Sequence, residues 1–518
     1  MNSKFKIHHF DYGLALALLL PLFAVMPLLT KAGLPNTADG PVHLMRQVEL
    51  NRAWQEGNFY PRWGADLALG HGMPIFSYAP PLLYHLTQLF HLTGLPLDES
   101  MKAVVVVDFL LYSGGMFLFA RRIFGPAPAL AAAALHVYAP YRLREAYIQG
   151  NYGQFTGLAF YPLICWAFHG LITTGRTRYL PAAAVSLAGL LLSHNISSMI
   201  FLPLFAVYLL VLLLGNSSVS KFSSGGVGAA ATEGDRREYG RRASGPFRSR
   251  LAAAGRAGAA ALLGLGLAAI FWLPAFGERD QIKLEGITRG FFDFRENFIS
   301  LPEFLSPPLP LDLAAINPEF PLSLGLPQVI AAGLGMASLL WLLSGKTAPP
   351  SDSPATTNSP FVAPRLLHTL FFTLFLLLYA FLALPYSQPA WEAVPLLELA
   401  EFPWRMLGPA VFCAGFLAAP AVSMIAELLT MKKIKLFMAN LFIVHCSLSI
   451  VHCSLFIALA LNAYYLYPSQ FIPWGTPTPA DAFHYEVVSG AIGTTSTGEF
   501  LPRAAQQHPH PDALWPDY

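Results

Sequence analysis

PIFSYAPPLLYHLTQLFHLTGL, residues 74–95, is long and apolar enough to cross a bilayer, and whether it does so sets the side on which every later loop falls. The segment carries His85, Gln88 and His91 and has Pro80-Pro81 near its start, features that suit a helix lying in the membrane interface. Counted as a span, it would put Arg121 and Arg122 outside and invert every loop after them. Counted as interfacial, with the N-terminus inside, it leaves one consistent pattern. Lys4 and Lys6, Arg121 and Arg122, Arg176 and Arg178, the basic residues from Lys221 to Arg256, Lys346 and Arg365, and Lys432, Lys433 and Lys435 then all fall in cytoplasmic segments. Most of the 32 basic residues lie there, as the positive-inside rule requires.

The rest of the chain supports a membrane reading. Of its 518 residues 54% are hydrophobic and 12% charged, about half the charge of a typical soluble domain. We expect an all-α integral membrane protein of about eleven transmembrane helices, at 11–30, 101–120, 126–140, 155–174, 179–193, 197–214, 255–275, 323–344, 366–385, 405–429 and 436–463. The first apolar run exceeds a signal-peptide core and has no Ala-x-Ala site, so it reads as a retained helix. The polytopic domain is expected over 1–463, with a first extracytoplasmic loop at 31–100 that carries juxtamembrane helices. A disordered basic cytoplasmic loop is expected at 215–254, a Pro/Ser/Thr-rich stretch at 347–360, an extracytoplasmic loop at 276–322 and a short extracytoplasmic tail at 464–518. A net charge of +2 gives no basic excess for nucleic acid. The four cysteines form no CxxC pair, so no disulfide framework or zinc site follows from them. The repeat IVHCSLS–IVHCSLF, 443–456, sets His445 and His452 on one helix face, as either a metal pair or a simple duplication.

Five polar groups fall on the extracytoplasmic side, where helix-end charge needs a reason. In TADGPVHLMR, Asp39, His43 and Arg46 share a helical face, with Asp39 either an acid at the membrane surface or the helix cap. In PYRLREAYIQGNYGQF, Arg142, Arg144 and Glu145 sit within one turn, and the arginines either clamp a phosphate or snorkel. His194 in LLSHN, Glu278 in GERD, and Glu401 with Arg405 in LAEFPWRMLG complete the set. Their plain readings are a helix end, a solvated face and an ion pair. No P-loop, GxSxG, HExxH or supported dinucleotide fingerprint occurs.

Together, the early acid in the first outward loop, GNFYPRW, and the P-x-x-x-Y-x-P-P-L-x-Y-x-L juxtamembrane pattern resemble the opening module of the C-type (GT-C) membrane glycosyltransferases. More closely, TADGPVHLMR, GNFYPRW, LLSHN, EFPWRMLG and GTTSTGEFLPR resemble the bacterial 6-pyruvoyl-tetrahydropterin synthase-related membrane proteins, over about residues 10–505. The resemblance implies a GT-C-like fold in the bacterial inner membrane and transfer of a sugar from a polyprenyl-phosphate donor to an extracytoplasmic acceptor. It makes Asp39 the catalytic base. It assigns the donor phosphate to Arg142, Arg144 or Arg405 with His194, and takes membrane lipid and the lipid-linked donor as partners; His43, Arg46, Glu145, Glu278 and Glu401, from the same outward polar groups, complete the substrate-binding candidates. No cofactor is expected; Ala38 and Gly40 flank Asp39 in place of a paired acid, which argues against a metal-bound mechanism and leaves a divalent metal open. A transporter or flippase of lipid-linked intermediates and a non-catalytic envelope assembly protein are the alternatives, and no oligomeric state follows.

Overall fold

The computed structural model describes residues 11–222, 246–283, 288–307, 322–344, 362–431, 470–495 and 498–505, with 456 and 460 besides. Among them, seven helices are long and apolar enough to cross a bilayer: Leu97–Phe124, Tyr152–Thr174, Asn195–Gly215, Arg250–Gly277, Leu326–Leu343, Ala363–Ala383 and Pro403–Leu428. Tyr12–Leu19 and Leu22–Thr30, bent by 50°, form an eighth span if they cross as one. The chain is therefore an all-α, multi-pass membrane protein.

The bend follows from Pro21, which has no N–H to give to the Ala17 carbonyl one turn back. Ser113 donates its hydroxyl to that carbonyl, and Tyr138 donates to the carbonyl of Leu20 at 2.6 Å. Backbone freed within the bundle is thus satisfied from neighbouring helices, as a lipid environment demands. Tyr152–Thr174 is the central helix, with 83% of its apolar window buried. Arg250–Gly277, at 22%, is peripheral and shows Leu262, Ile270 and Phe276 outward. Aromatic rings fill the interior, with Phe372 against Phe416 at 4.1 Å and Phe119 against Phe416 at 5.0 Å between centroids.

Two of the eleven expected spans do not reach bilayer length. The expected spans at 126–140 and 179–193 are helices of 12 and 13 residues, Pro126–Val137 and Tyr179–Leu191, about 18 to 20 Å long and short of a roughly 30 Å hydrocarbon core. Pro140 biases the residue before it away from helix, and Ala139 is extended at ψ 136°. The expected span at 436–463, with His445 and His452, and the stretch 347–360 lie outside the described residues apart from 456 and 460. The expected loop 215–254 is helical at both ends, in Asn195–Phe222 and Pro246–Gly277. The decisive segment 74–95 holds Ile75–Tyr78 and the ten-residue helix Leu82–His91, about 15 Å long and too short to cross.

The loops then collect at two ends. At one end Arg121 pairs with Asp11, Arg122 lies 4.5 Å over the Tyr179 ring, and Arg365 pairs with Glu427 at 3.0 Å. At the other end lie the first loop, residues 140–151, 192–195 and 400–406, and the C-terminal segment. That segment is built in: Leu34–Pro35 pairs antiparallel with Phe471–Ile472, Asp98 accepts the Gly475 N–H at 2.7 Å, and Ile282 bridges to Pro502. Thr177 and Asn58 are exposed at opposite ends. In a Cys446→Ser/Cys453→Ser background, a cysteine at Asn58 should react with an impermeant maleimide on intact cells, and one at Thr177 only after permeabilisation. The reverse pattern would overturn the orientation.

Candidate functional site

Asp39 stands at the N-cap position of the loop helix Gly40–Gln55, yet its side chain makes no cap hydrogen bond. Thr37 takes that role, its hydroxyl accepting the Gly40 N–H at 3.1 Å. The capping alternative for Asp39 is therefore corrected. Its N–H instead donates to the Gln149 carbonyl at 2.7 Å, and its Oδ2 accepts from Gln149 Nε2 at 2.9 Å. Burial raises the Asp39 carboxyl above its ordinary range, opposed by the Gln149 bond and by the charges of Arg405, Arg46 and Arg144.

Gln149 closes a π-helical turn, Glu145–Gln149, of the kind often found at functional sites. The turn ends at Gly150, φ +70°, where an added Cβ would lie 2.1 Å from the Thr37 hydroxyl, so only glycine fits. Arg144 donates to Glu145 Oε1 and to Gln149 Oε1, both at 3.1 Å. Arg405 meets Glu401 at 2.6 Å and donates to the Ala400 carbonyl at 2.9 Å. Both guanidinium groups lie on the Trp404 ring, Arg144 at 5.1 Å and Arg405 at 5.7 Å. Two like charges gathered on one indole suit an anion placed between them.

His194 receives the Ser197 N–H on Nδ1 at 3.1 Å, which in the neutral ring leaves the proton on Nε2. Burial, then Arg405 and His43, hold its pKa well below the ordinary value, which favours the neutral ring. Asp39, Arg46, Arg144, Glu145, His194, Glu401 and Arg405 thus form one polar cluster through direct bonds and mutual fields.

Three candidates sit elsewhere or act otherwise. Arg142 is fully buried, donates to the Gly408 carbonyl at 3.1 Å and packs 4.7 Å from Tyr112, so it points into the bundle. His43 is buried against the Tyr84 hydroxyl at 2.8 Å, and desolvation depresses its pKa to about 3, which removes it as a cation. Glu278 is half exposed and pairs with Arg62. Conversely, Gln149, Trp404, Tyr485 and Thr494 belong to the cluster without having been singled out, although Gln149, Trp404 and Thr494 stand inside quoted motifs. Among the described residues, no three His, Cys, Asp or Glu side chains are grouped to hold a metal ion.

Glu145 gives a stability prediction. Its buried carboxyl is pushed up to about 7 by desolvation, partly offset by Arg144. The folded state then holds a proton the unfolded chain has released, so stability is full below about pH 4.5 and falls as pH rises through about 7. Melting in detergent at pH 5 and pH 8 should show a steeper loss for the wild type than for Glu145→Gln. Equal slopes would sink this assignment.

Comparison with known proteins adds the following. The family model described as dolichyl-phosphate-mannose-protein mannosyltransferase matches residues 78–230. No curated protein matches. Similar solved structures include arabinofuranosyltransferase AftD from Mycobacteria, at 15% identity and TM-score 0.45, covering 89% of this chain and 28% of that one. They also include ArnT from Cupriavidus metallidurans bound to undecaprenyl phosphate, at 14% and 0.42, covering 93% of this chain and 78% of that one. A third is the Archaeoglobus fulgidus oligosaccharyltransferase in its apo form, at 15% and 0.43, covering 98% and 62%. The chain thus spans under a third of the first of these and about three fifths of the last.

Proposed function

We propose that this protein transfers a sugar from a polyprenyl-phosphate donor to an extracytoplasmic acceptor hydroxyl, with Asp39 as general base. The observation that carries the reading is a carboxylate excluded from capping, held by Gln149, and facing the fields of Arg46, Arg144 and Arg405 at one end of the bundle. Asp39 takes the proton of the acceptor hydroxyl as its oxygen attacks the anomeric carbon. The bond from that carbon to the phosphate oxygen breaks, and its electron pair leaves with the lipid phosphate. The arginines stabilise the charge that develops there, and His194 Nε2–H supplies a neutral donor. The resemblance of the motifs and the family match over residues 78–230 support the same class of donor.

An apolar cleft gives the lipid a place. It runs between Pro126–Val137, Leu326–Leu343 and the helix from Leu407, lined by Ala131, Leu135, Ile330, Leu334, Ala418 and Val422. Pro327 lines its end, and nearby Gly325 packs on Pro140, which opens the turn carrying Arg142 and Arg144. An isoprenoid chain there would deliver its phosphate toward Arg144.

The test is a lipid-linked sugar transfer assay on membranes from cells with and without the protein. Protein-dependent transfer that Asp39→Asn abolishes supports the reading. Absence of protein-dependent transfer would overturn it in favour of a transporter or an assembly protein.

A further inference from the structure

Residues held at positive φ without being glycine carry a backbone cost of order 1 to 3 kcal/mol and gather where function needs them. Among the described residues there are four: Ala68, Leu69, Glu401 and Thr494. Glu401 is the partner of Arg405. The other three lie on two turns that one carboxylate ties together. Glu486, fully buried on the helix Pro479–Ser489, accepts the N–H of Ala68 at 3.0 Å and of Gly493 at 2.7 Å on Oε1, and that of Leu69 at 2.6 Å on Oε2. It therefore joins the strained turn of the first loop to the strained turn of the C-terminal segment.

That second turn has little freedom. An added Cβ at Gly493, φ +65°, would lie 2.0 Å from the Met73 sulfur. The next residue, Thr494, accepts Arg46 Nε on its hydroxyl at 2.9 Å and Arg46 Nη2 on its carbonyl at 2.5 Å. Arg46 is one of the three cations whose field reaches Asp39, and Tyr485, beside Glu486, lies in the fields of both Asp39 and Arg46. The order of contacts is thus Glu486, the Gly493–Thr494 turn, Arg46, and the anion-binding end of the site.

We propose that Glu486 is a positioning residue for the donor phosphate, acting through Thr494 to fix the Arg46 guanidinium, so that the C-terminal segment is a working part of the site. This rests on the polyprenyl-phosphate reading above. An arginine side chain has several rotatable bonds, and two acceptors on one rigid turn remove the freedom it would otherwise lose on binding. Gln at position 486 keeps the size and loses the charge. Its amide nitrogen then faces a backbone N–H as a second donor, which loosens the turn.

The experiment measures binding of undecaprenyl phosphate to the full-length protein in detergent, for the wild type, Glu486→Gln, Thr494→Gly, Arg46→Met and the double variant Arg46→Met/Glu486→Gln. Glycine relieves the positive φ of Thr494 and removes its hydroxyl and methyl while keeping the carbonyl that accepts Arg46 Nη2, so Thr494→Gly keeps the proposal testable if Glu486→Gln does not fold. We expect Glu486→Gln to weaken binding by about tenfold, within the range typical of coupled sites. Thr494→Gly should weaken it by a few-fold in protein that remains folded. In the Arg46→Met background, Glu486→Gln should cost nothing further. Wild-type affinity in both Glu486→Gln and Thr494→Gly overturns the proposal. So does an equal loss from Glu486→Gln with and without Arg46, which marks a merely structural role. A wild type that does not bind undecaprenyl phosphate removes the donor reading itself, and this inference with it.

Discussion

Asp39→Asn should cut sugar transfer by about 10²- to 10⁴-fold, the usual contribution of a positioned base, while the protein stays folded. The structural cost of the change is small because Asp39 does not cap its helix; Thr37 does. Asparagine is the same size and can still accept from Gln149 Nε2 through its carbonyl. What it cannot do is take a proton. Because burial raises the Asp39 carboxyl, wild-type transfer should also fall as pH drops through that raised pKa, where the base becomes protonated. Rates on membranes normalised for protein, together with melting in detergent, check both statements. Full activity in Asp39→Asn would remove the base from the mechanism.

The spans were legible because hydropathy reports burial in lipid directly, and eight of the expected helices appear at bilayer length once the bent pair counts as one. The two short helices were overcounted because apolar composition continues past Val137 and Leu191, whereas the backbone stops there. Asp39 was ambiguous for a definite reason: Thr37 and Asp39 are both capping residues two positions apart, and only coordinates show which side chain reaches the Gly40 N–H. From the sequence, Arg142 and Arg144 either clamp a phosphate together or snorkel together, and the structure separates them. Residues two apart on a helix point about 200° away from each other, so one turns into the bundle and the other into the cluster. The bond from Arg46 to Thr494 spans 448 residues, and no local pattern encodes it.

Arg405→Met should lower the turnover of transfer by about 10²- to 10³-fold, the scale seen when one preorganised donor to a developing negative charge is removed. Arg405 is the first of the charges that oppose the raised Asp39 pKa, and its field also reaches Glu145 and His194. The single variant has a second effect. It strands the Glu401 carboxylate, whose side chain is only 12% exposed, and an unpaired buried charge costs about 3 to 5 kcal/mol of stability. Glu401→Gln/Arg405→Met separates the two effects, because it removes the stranded charge. Its melting temperature should recover and its transfer rate should not. Arg405→Lys should fall between, since a single ammonium cannot hold Glu401 and the Ala400 carbonyl while lying flat on Phe402 and Trp404. Loss of the positive charge also lets the Asp39 pKa rise further, so the residual activity of the double variant should fail at a higher pH than the wild type as the medium is acidified. If the double variant regained wild-type transfer along with its stability, Arg405 would be the structural partner of Glu401 and nothing more, and the phosphate would have to be held by Arg46 and Arg144 alone.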